Sequence, residues 1–126
     1  MPMSAILTHK DLQVWQKSMQ FVKQLYIITR SYPREEMYGI VSQMRRAAVS
    51  VPSNIAEGYG RKSDKDLLRF LSIALGSTAE LETQLLISRD LDFLTEDSYI
   101  LLNNQIAEIF RMLTALYNKV RNDLVL

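Results

Sequence analysis

Apolar residues recur along the chain at helical spacing in four stretches, and no alternating strand pattern competes with them. In the first stretch Leu12, Trp15, Met19, Val22 and Tyr26 form one row, with Val14, Phe21, Leu25 and Ile28 forming a second beside it. At about 100° per residue these rows merge into an apolar face roughly 200° wide. In the second stretch Met37, Val41, Met44, Ala48, Val51 and Ile55 step by four and three, while Gly39, Gln43, Arg46, Ser50, Ser53 and Glu57 opposite them are small or polar. In the third, seven of the nine residues from Leu67 to Leu75 are apolar, and Gly76, Ser77 and Ala79 then keep the surface thin enough for a neighbouring backbone to approach. The fourth presents Tyr99, Leu102, Ile106, Ile109, Phe110, Leu113, Leu116, Tyr117 and Val120.

Breakers separate the stretches near Pro33, at Gly58 to Ser63 and at Asp92 to Thr95. Pro33 suits the first turn of the second helix, with Glu35 and Glu36 placed against its positive N-terminal dipole. Pro52 falls inside that helix and removes a donor. The core row continues in phase to Ile55, so the pattern predicts a kink and not a break, with Gly58 and Gly60 supplying the stop. Ser50, Ser53 and Asn54 bring hydroxyls and an amide next to the Ala48 carbonyl that Pro52 leaves unbonded, a structural reason for their presence. Ser63 with Asp66 resembles a capping box that opens the third helix, and Thr95 is placed to cap the fourth ahead of Glu96 and Asp97.

These signals predict a single all-α domain over residues 1–126, an antiparallel up-and-down four-helix bundle with helices at about 10–31, 34–58, 64–91 and 96–122. The faces of the first and third helices are wider than a four-helix core can cover. Surplus apolar surface on a folded domain marks an interface, so a homo-oligomer is expected.

Composition narrows the class. Hydrophobic residues make up 48% and charged residues 23%, as in folded globular chains, and the absence of cysteine rules out disulfides and thiolate sites and fits a reducing, cytoplasmic setting. Residues Met1 to Leu7 lack a basic leader pattern, and no apolar run reaches the roughly 20 residues that span a bilayer, so no membrane association is expected. Fifteen Lys and Arg against fourteen Asp and Glu give +1, too little for a global field, so any attraction to nucleic acid must come from a local patch.

No catalytic constellation is visible. Bundle di-iron sites need Glu-x-x-His pairs, yet the only histidine is His9, which stands before the first helix. Gly58-Tyr59-Gly60 follows a helix and lacks the phosphate-loop pattern, and Glu80 and Glu82, two apart on a helix, point away from each other. The reading is therefore of a non-enzyme with no cofactor, no metal and no small-molecule substrate. What remains is charge placement: Arg45 and Arg46 in the second helix, and Arg61, Lys62, Lys65 and Arg69 at the turn into the third, with Tyr59 close by. Such a cluster can hold phosphates and stack a base. Against this, Asp64 and Asp66 share the cluster, and Glu57, Glu80 and Glu82 are available to pair with the arginines, which would leave a scaffold for a protein partner instead.

The run Ser42-Gln43-Met44-Arg45-Arg46-Ala47-Ala48-Val49-Ser50-Val51-Pro52-Ser53-Asn54-Ile55-Ala56-Glu57-Gly58, with Asp11-Leu12-Gln13-Val14-Trp15-Gln16 before it and Gly76-Ser77-Thr78-Ala79-Glu80-Leu81-Glu82 after it, resembles the bacterial S23 or 23S rRNA intervening-sequence proteins. The resemblance spans nearly the whole chain. It implies a small all-α bundle associated with a homopentameric barrel, similar to accessory proteins of diversity-generating retroelements in which a basic surface binds nucleic acid and reverse transcriptase. It brings no catalytic residues with it. The combined expectation is a pentameric ring that binds RNA or another nucleic acid through repeated copies of Arg45, Arg46, Arg61, Lys62, Lys65 and Arg69.

Overall fold

The computed structural model describes residues 8–125, and among them it contains four α-helices and no strands. The helices are α1 (Gln13–Thr29), α2 (Ile40–Tyr59), α3 (Asp64–Asp90) and α4 (Glu96–Val125). Two short 3₁₀ turns, His9–Asp11 and Arg34–Glu36, precede α1 and α2.

The first two helices begin later than the sequence pattern predicts. Thr8 caps the first 3₁₀ turn, its hydroxyl accepting from Lys10 N while Asp11 returns a carboxylate to Thr8 N, and Leu12 in extended conformation then hands over to α1. Pro33 opens a tight turn of i to i+3 bonds, with Glu36 N on Pro33 O at 2.9 Å and Gly39 N on Glu36 O at 3.0 Å, and not the first turn of α2. At Gly39 the backbone leaves helical geometry (φ −108°, ψ −116°), and α2 starts afresh at Ile40. Met37 is consequently off the core row and 38% exposed, whereas Val41, Met44, Ala48, Val51 and Ile55 are all within 1% of complete burial. Ser63 Oγ accepts from Asp66 N, and Thr95 Oγ1 accepts from Ser98 N, so both side-chain caps form, while the Asp66 carboxylate faces Arg69 and does not complete a capping box.

The core lies between the four helices, built from Phe21 and Leu25 of α1, the α2 row, Leu71, Leu81 and Leu85 of α3, and Leu102, Ile109 and Leu113 of α4. Each helix packs on two others, α2 most extensively on α3. Along that seam Met44 meets Ser88, Ser50 meets Ser77, and Gly58 meets Leu67 and Phe70. Small residues bring the backbones close: a β-carbon on Gly58 would stand 2.9 Å from Leu67 Cδ1. Gly58 therefore serves packing inside the helix, which runs on to Tyr59, and Gly60 forms the cap. Gly76, in contrast, faces open space, and Ser77 makes the close approach on α3.

Helix α2 is continuous through Pro52. The neighbouring amide supports a different carbonyl from the one the sequence suggests: Asn54 Nδ2 donates to Ser50 O at 2.8 Å and to Ser50 Oγ at 2.9 Å, not to Ala48 O. Buried hydroxyls of α1 are satisfied locally: Ser18 donates to Val14 O and Thr29 to Leu25 O, each at 2.7 Å.

Candidate nucleic-acid interface

The six cations singled out from the sequence do not form one patch. Arg46 lies more than a dozen residues before Arg61, a separation of about 20 Å at 1.5 Å rise per residue, and each neighbourhood has its own character.

Arg45 is turned inward. It sits half-buried on α2, where its Nε donates to Thr29 Oγ1 at 3.1 Å and its Nη2 to the Tyr26 carbonyl at 3.3 Å. Its guanidinium lies 4.4 Å from the centre of the Tyr26 ring. The Tyr26 and Thr29 groups belong to the last turn of α1, whose terminal carbonyls lack helical partners, so Arg45 fastens the end of α1 to the middle of α2. Arg46, the next residue, is exposed in a shallow crevice with Gln43, Ser50, Ser77 and Glu80, and among the described residues neither Arg46 nor Glu80 forms an ion pair.

At the α2–α3 turn, Arg61 pairs with Glu57 one helical turn back at 2.8 Å, and Arg69 reaches Asp66 at 4.0 Å. Both guanidiniums also lie near the Phe70 ring, at 5.0 and 4.5 Å from its centre. These exposed pairs contribute at most about 1 kcal/mol each and leave the arginines on the surface. Lys62 and Lys65 are exposed and form no ion pair among the described residues. Of the acids expected to pair with the arginines across the α2–α3 contact, Glu57 pairs locally with Arg61, four residues on, and among the described residues Glu80 and Glu82 form no ion pair.

A pocket of about 430 Å³ opens beside this turn, where α4 returns and Leu12 leads into α1. Lys62 stands at it together with Lys119 of α4, a cation that the sequence pattern left out. A signal for Lys119 exists: the up-and-down bundle expected from the sequence would bring the end of α4 to the pole of the α2–α3 turn, and Lys119 lies one residue from Val120 of the expected core face. Tyr59 also lines the pocket but is half-buried, and burial, with Asp64 nearby, pushes its hydroxyl pKa up, so it remains a neutral donor. His9 packs edge-on against Trp15 with ring centres 5.2 Å apart. Among the described residues no three His, Asp or Glu side chains converge as a metal ion would require, and no helix is long and apolar enough to cross a membrane.

A family model described as 23S rRNA-intervening sequence protein matches residues 10–115. The chain belongs to that family. The match takes in α1, α2, α3 and most of α4, including every cation named from the sequence. Consistent with membership in the 23S rRNA-intervening sequence family, the fold is similar to the crystal structure of a protein with unknown function from the S23 ribosomal protein family of Bacteroides thetaiotaomicron VPI-5482. The two share 26% identity and a TM-score of 0.77 over 82% of this chain and 97% of the other. No curated protein sequence matches. The family is not a known enzyme family, and its S23 relative is a protein of unknown function.

Proposed function

We propose that this protein is a non-enzymatic bundle of antiparallel up-and-down helices that assembles into a cytoplasmic homopentameric ring and binds RNA or another nucleic acid at its α2–α3 turn. The supporting observation is the set of uncommitted cations at that pole: Lys62, Lys65 and Lys119 have no ion-pair partner among the described residues, and Arg61 and Arg69 remain at the surface beside them. Arg46 adds a second, separate contact on the α2–α3 face, and Arg45 serves the fold. The order of contacts along the α2–α3 seam, Met44 with Ser88 through Gly58 with Leu67, supports the antiparallel arrangement.

The ring reading draws on apolar surface that one bundle leaves uncovered. Tyr26 and Ile27 of α1 and Val49 of α2 are 37%, 54% and 40% exposed, Ile73 and Ile87 of α3 are 44% and 43%, and Phe110 of α4, assigned to the core from its spacing, is 47%. A ring repeats a modest basic pole five times, so the charge of one subunit understates the field a polyanion meets.

Titrating a structured RNA at 50 and 200 mM salt, alongside light scattering for mass, tests both parts. Binding should fall steeply with salt, and Lys62→Ala with Lys65→Ala and Lys119→Ala should weaken it at least tenfold. Absence of binding at low salt overturns the nucleic-acid reading, and a monomeric mass overturns the ring. The alternative, a scaffold for a protein partner, is favoured by the inward commitment of Arg45 and the Arg61–Glu57 pair. It predicts that the lysine variants leave RNA behaviour unchanged.

A further inference from the structure

The pocket at the α2–α3 turn is built for more than a phosphate chain. Leu12, Leu67, Leu116 and Val120 give it an apolar lining drawn from the lead into α1 and from α3 and α4. Its polar side carries both signs of charge, Lys62 and Lys119 with Asp64 and Asp123, and all four are exposed and outside any ion pair among the described residues. Tyr59 contributes an aromatic ring anchored by half-burial. At about 430 Å³ the space suits a small planar group and is far too small for a duplex.

This mixture discriminates among ligands. An aliphatic chain with an anionic head would use the leucines and lysines but leave Asp64 and Asp123 without a donor. A bare anion would use the lysines and leave the apolar lining wet. A nucleobase with adjoining phosphate uses every component: its ring lies on the apolar and aromatic lining, its amino and ring N–H groups donate to carboxylates, and its phosphates meet the lysines. Resting on the nucleic-acid reading above, we propose that the pocket receives one unstacked nucleobase, with the flanking phosphates held by Lys62 and Lys119. The same chemistry is offered by a bulged or looped nucleotide in RNA and by a free mononucleotide. Guanine is the favoured base, because one carboxylate can accept its N1–H and its amino group together.

The test compares three probes on the full-length protein: a fluorescently labelled RNA hairpin with a single bulged guanosine, the same hairpin fully paired, and GMP as competitor. The bulged hairpin is expected to bind at least tenfold more tightly than the paired one. Leu116→Trp, which fills the pocket, should erase that ratio while leaving the paired hairpin's affinity unchanged. Asp64→Asn with Asp123→Asn, at exposed positions where folding is not at stake, should lower the ratio, although removing negative charge by itself would raise affinity for both hairpins. Equal binding of the two hairpins, or a ratio that survives both variants, overturns the pocket assignment while leaving nucleic-acid binding in place. GMP bound in a variant-sensitive way without hairpin binding supports the base pocket, assigns it to free nucleotides and overturns the RNA reading. No binding of any probe overturns both.

Discussion

Gly58 of α2 and Phe70 of α3 approach so closely that a β-carbon on Gly58 would lie 3.1 Å from Phe70 Cβ, as well as 2.9 Å from Leu67 Cδ1. Phe70 Cβ sits at the root of its side chain and cannot swing aside as a flexible tip can. Gly58→Ala is therefore expected to destabilise the fold by about 1–3 kcal/mol through overpacking, despite alanine's better helix propensity. Urea unfolding measures it, and an unchanged midpoint would show that the seam can open without cost.

Arg45 and Arg46 are adjacent in sequence and opposite in role. Arg45→Ala removes two hydrogen bonds and a stacked ring that tie α2 to the end of α1, and should cost about 1–2 kcal/mol. Arg46→Ala should stay within about 0.5 kcal/mol of the parent, as exposed substitutions usually do, while reducing RNA affinity. Thermal melts of the two variants, run with RNA titrations, separate the two effects.

Gly76 sits in the interior of α3 with nothing within 4 Å of where a β-carbon would stand. Gly76→Ala is expected to stabilise the protein by about 0.5–1 kcal/mol, because the unfolded chain loses freedom at no steric cost. Should that face be covered by a neighbouring subunit, the same substitution would instead reduce the assembled mass.

The turn from α3 to α4 places Asp92 at φ 60°, the left-handed region that side chains other than Asn and Asp rarely accept. Asp92→Gly should raise stability by up to about 1 kcal/mol, read from the shift in chemical denaturation midpoint.

Two tyrosines make stability fall at alkaline pH. Burial raises the pKa of Tyr32, against a smaller opposing effect of Ser88, and raises that of Tyr59 with help from Asp64. The unfolded chain ionises these phenols near 10, so their neutral burial contributes fully below that pH, and stability falls as pH climbs from 10 through the raised folded values. The Tyr32 hydroxyl is buried beside Ser88 without a hydrogen bond of good geometry, the Ser88 hydroxyl being turned to Met44 Sδ. Tyr32→Phe should thus be neutral or stabilising at pH 7 and should flatten the loss between pH 9 and 12, as followed by melting temperature.

The four helices were legible because period and caps agreed: the Val41 to Ile55 row is fully buried, and Ser63 and Thr95 cap as their spacing implies. Boundaries failed where local chemistry allowed two outcomes. Pro33 can begin an α-helix or a 3₁₀ turn, and the dihedrals of Gly39 decide for the turn. Phe110 lies about 40° from buried Ile106 around the helix, and spacing alone does not tell the edge of a core stripe from its centre. Within the candidate site, Lys62 and Lys65 were readable as exposed cations at and just after the α2–α3 turn. The inward turn of Arg45 depends on where α1 ends, and the arrival of Lys119 depends on how α4 packs beside the α2–α3 turn; neither is a local property of sequence.

Only the few residues from Gly60 to Ser63 separate α2 from α3, which share the most extensive helix–helix contact among the described residues. Closing so short a loop costs little chain entropy, whereas α1 must find α4 across most of the polypeptide. Folding is expected to nucleate in the α2–α3 pair, with the other two helices condensing onto it later, so that substitutions along the Ser50–Ser77 seam slow refolding and those on α1 chiefly hasten unfolding.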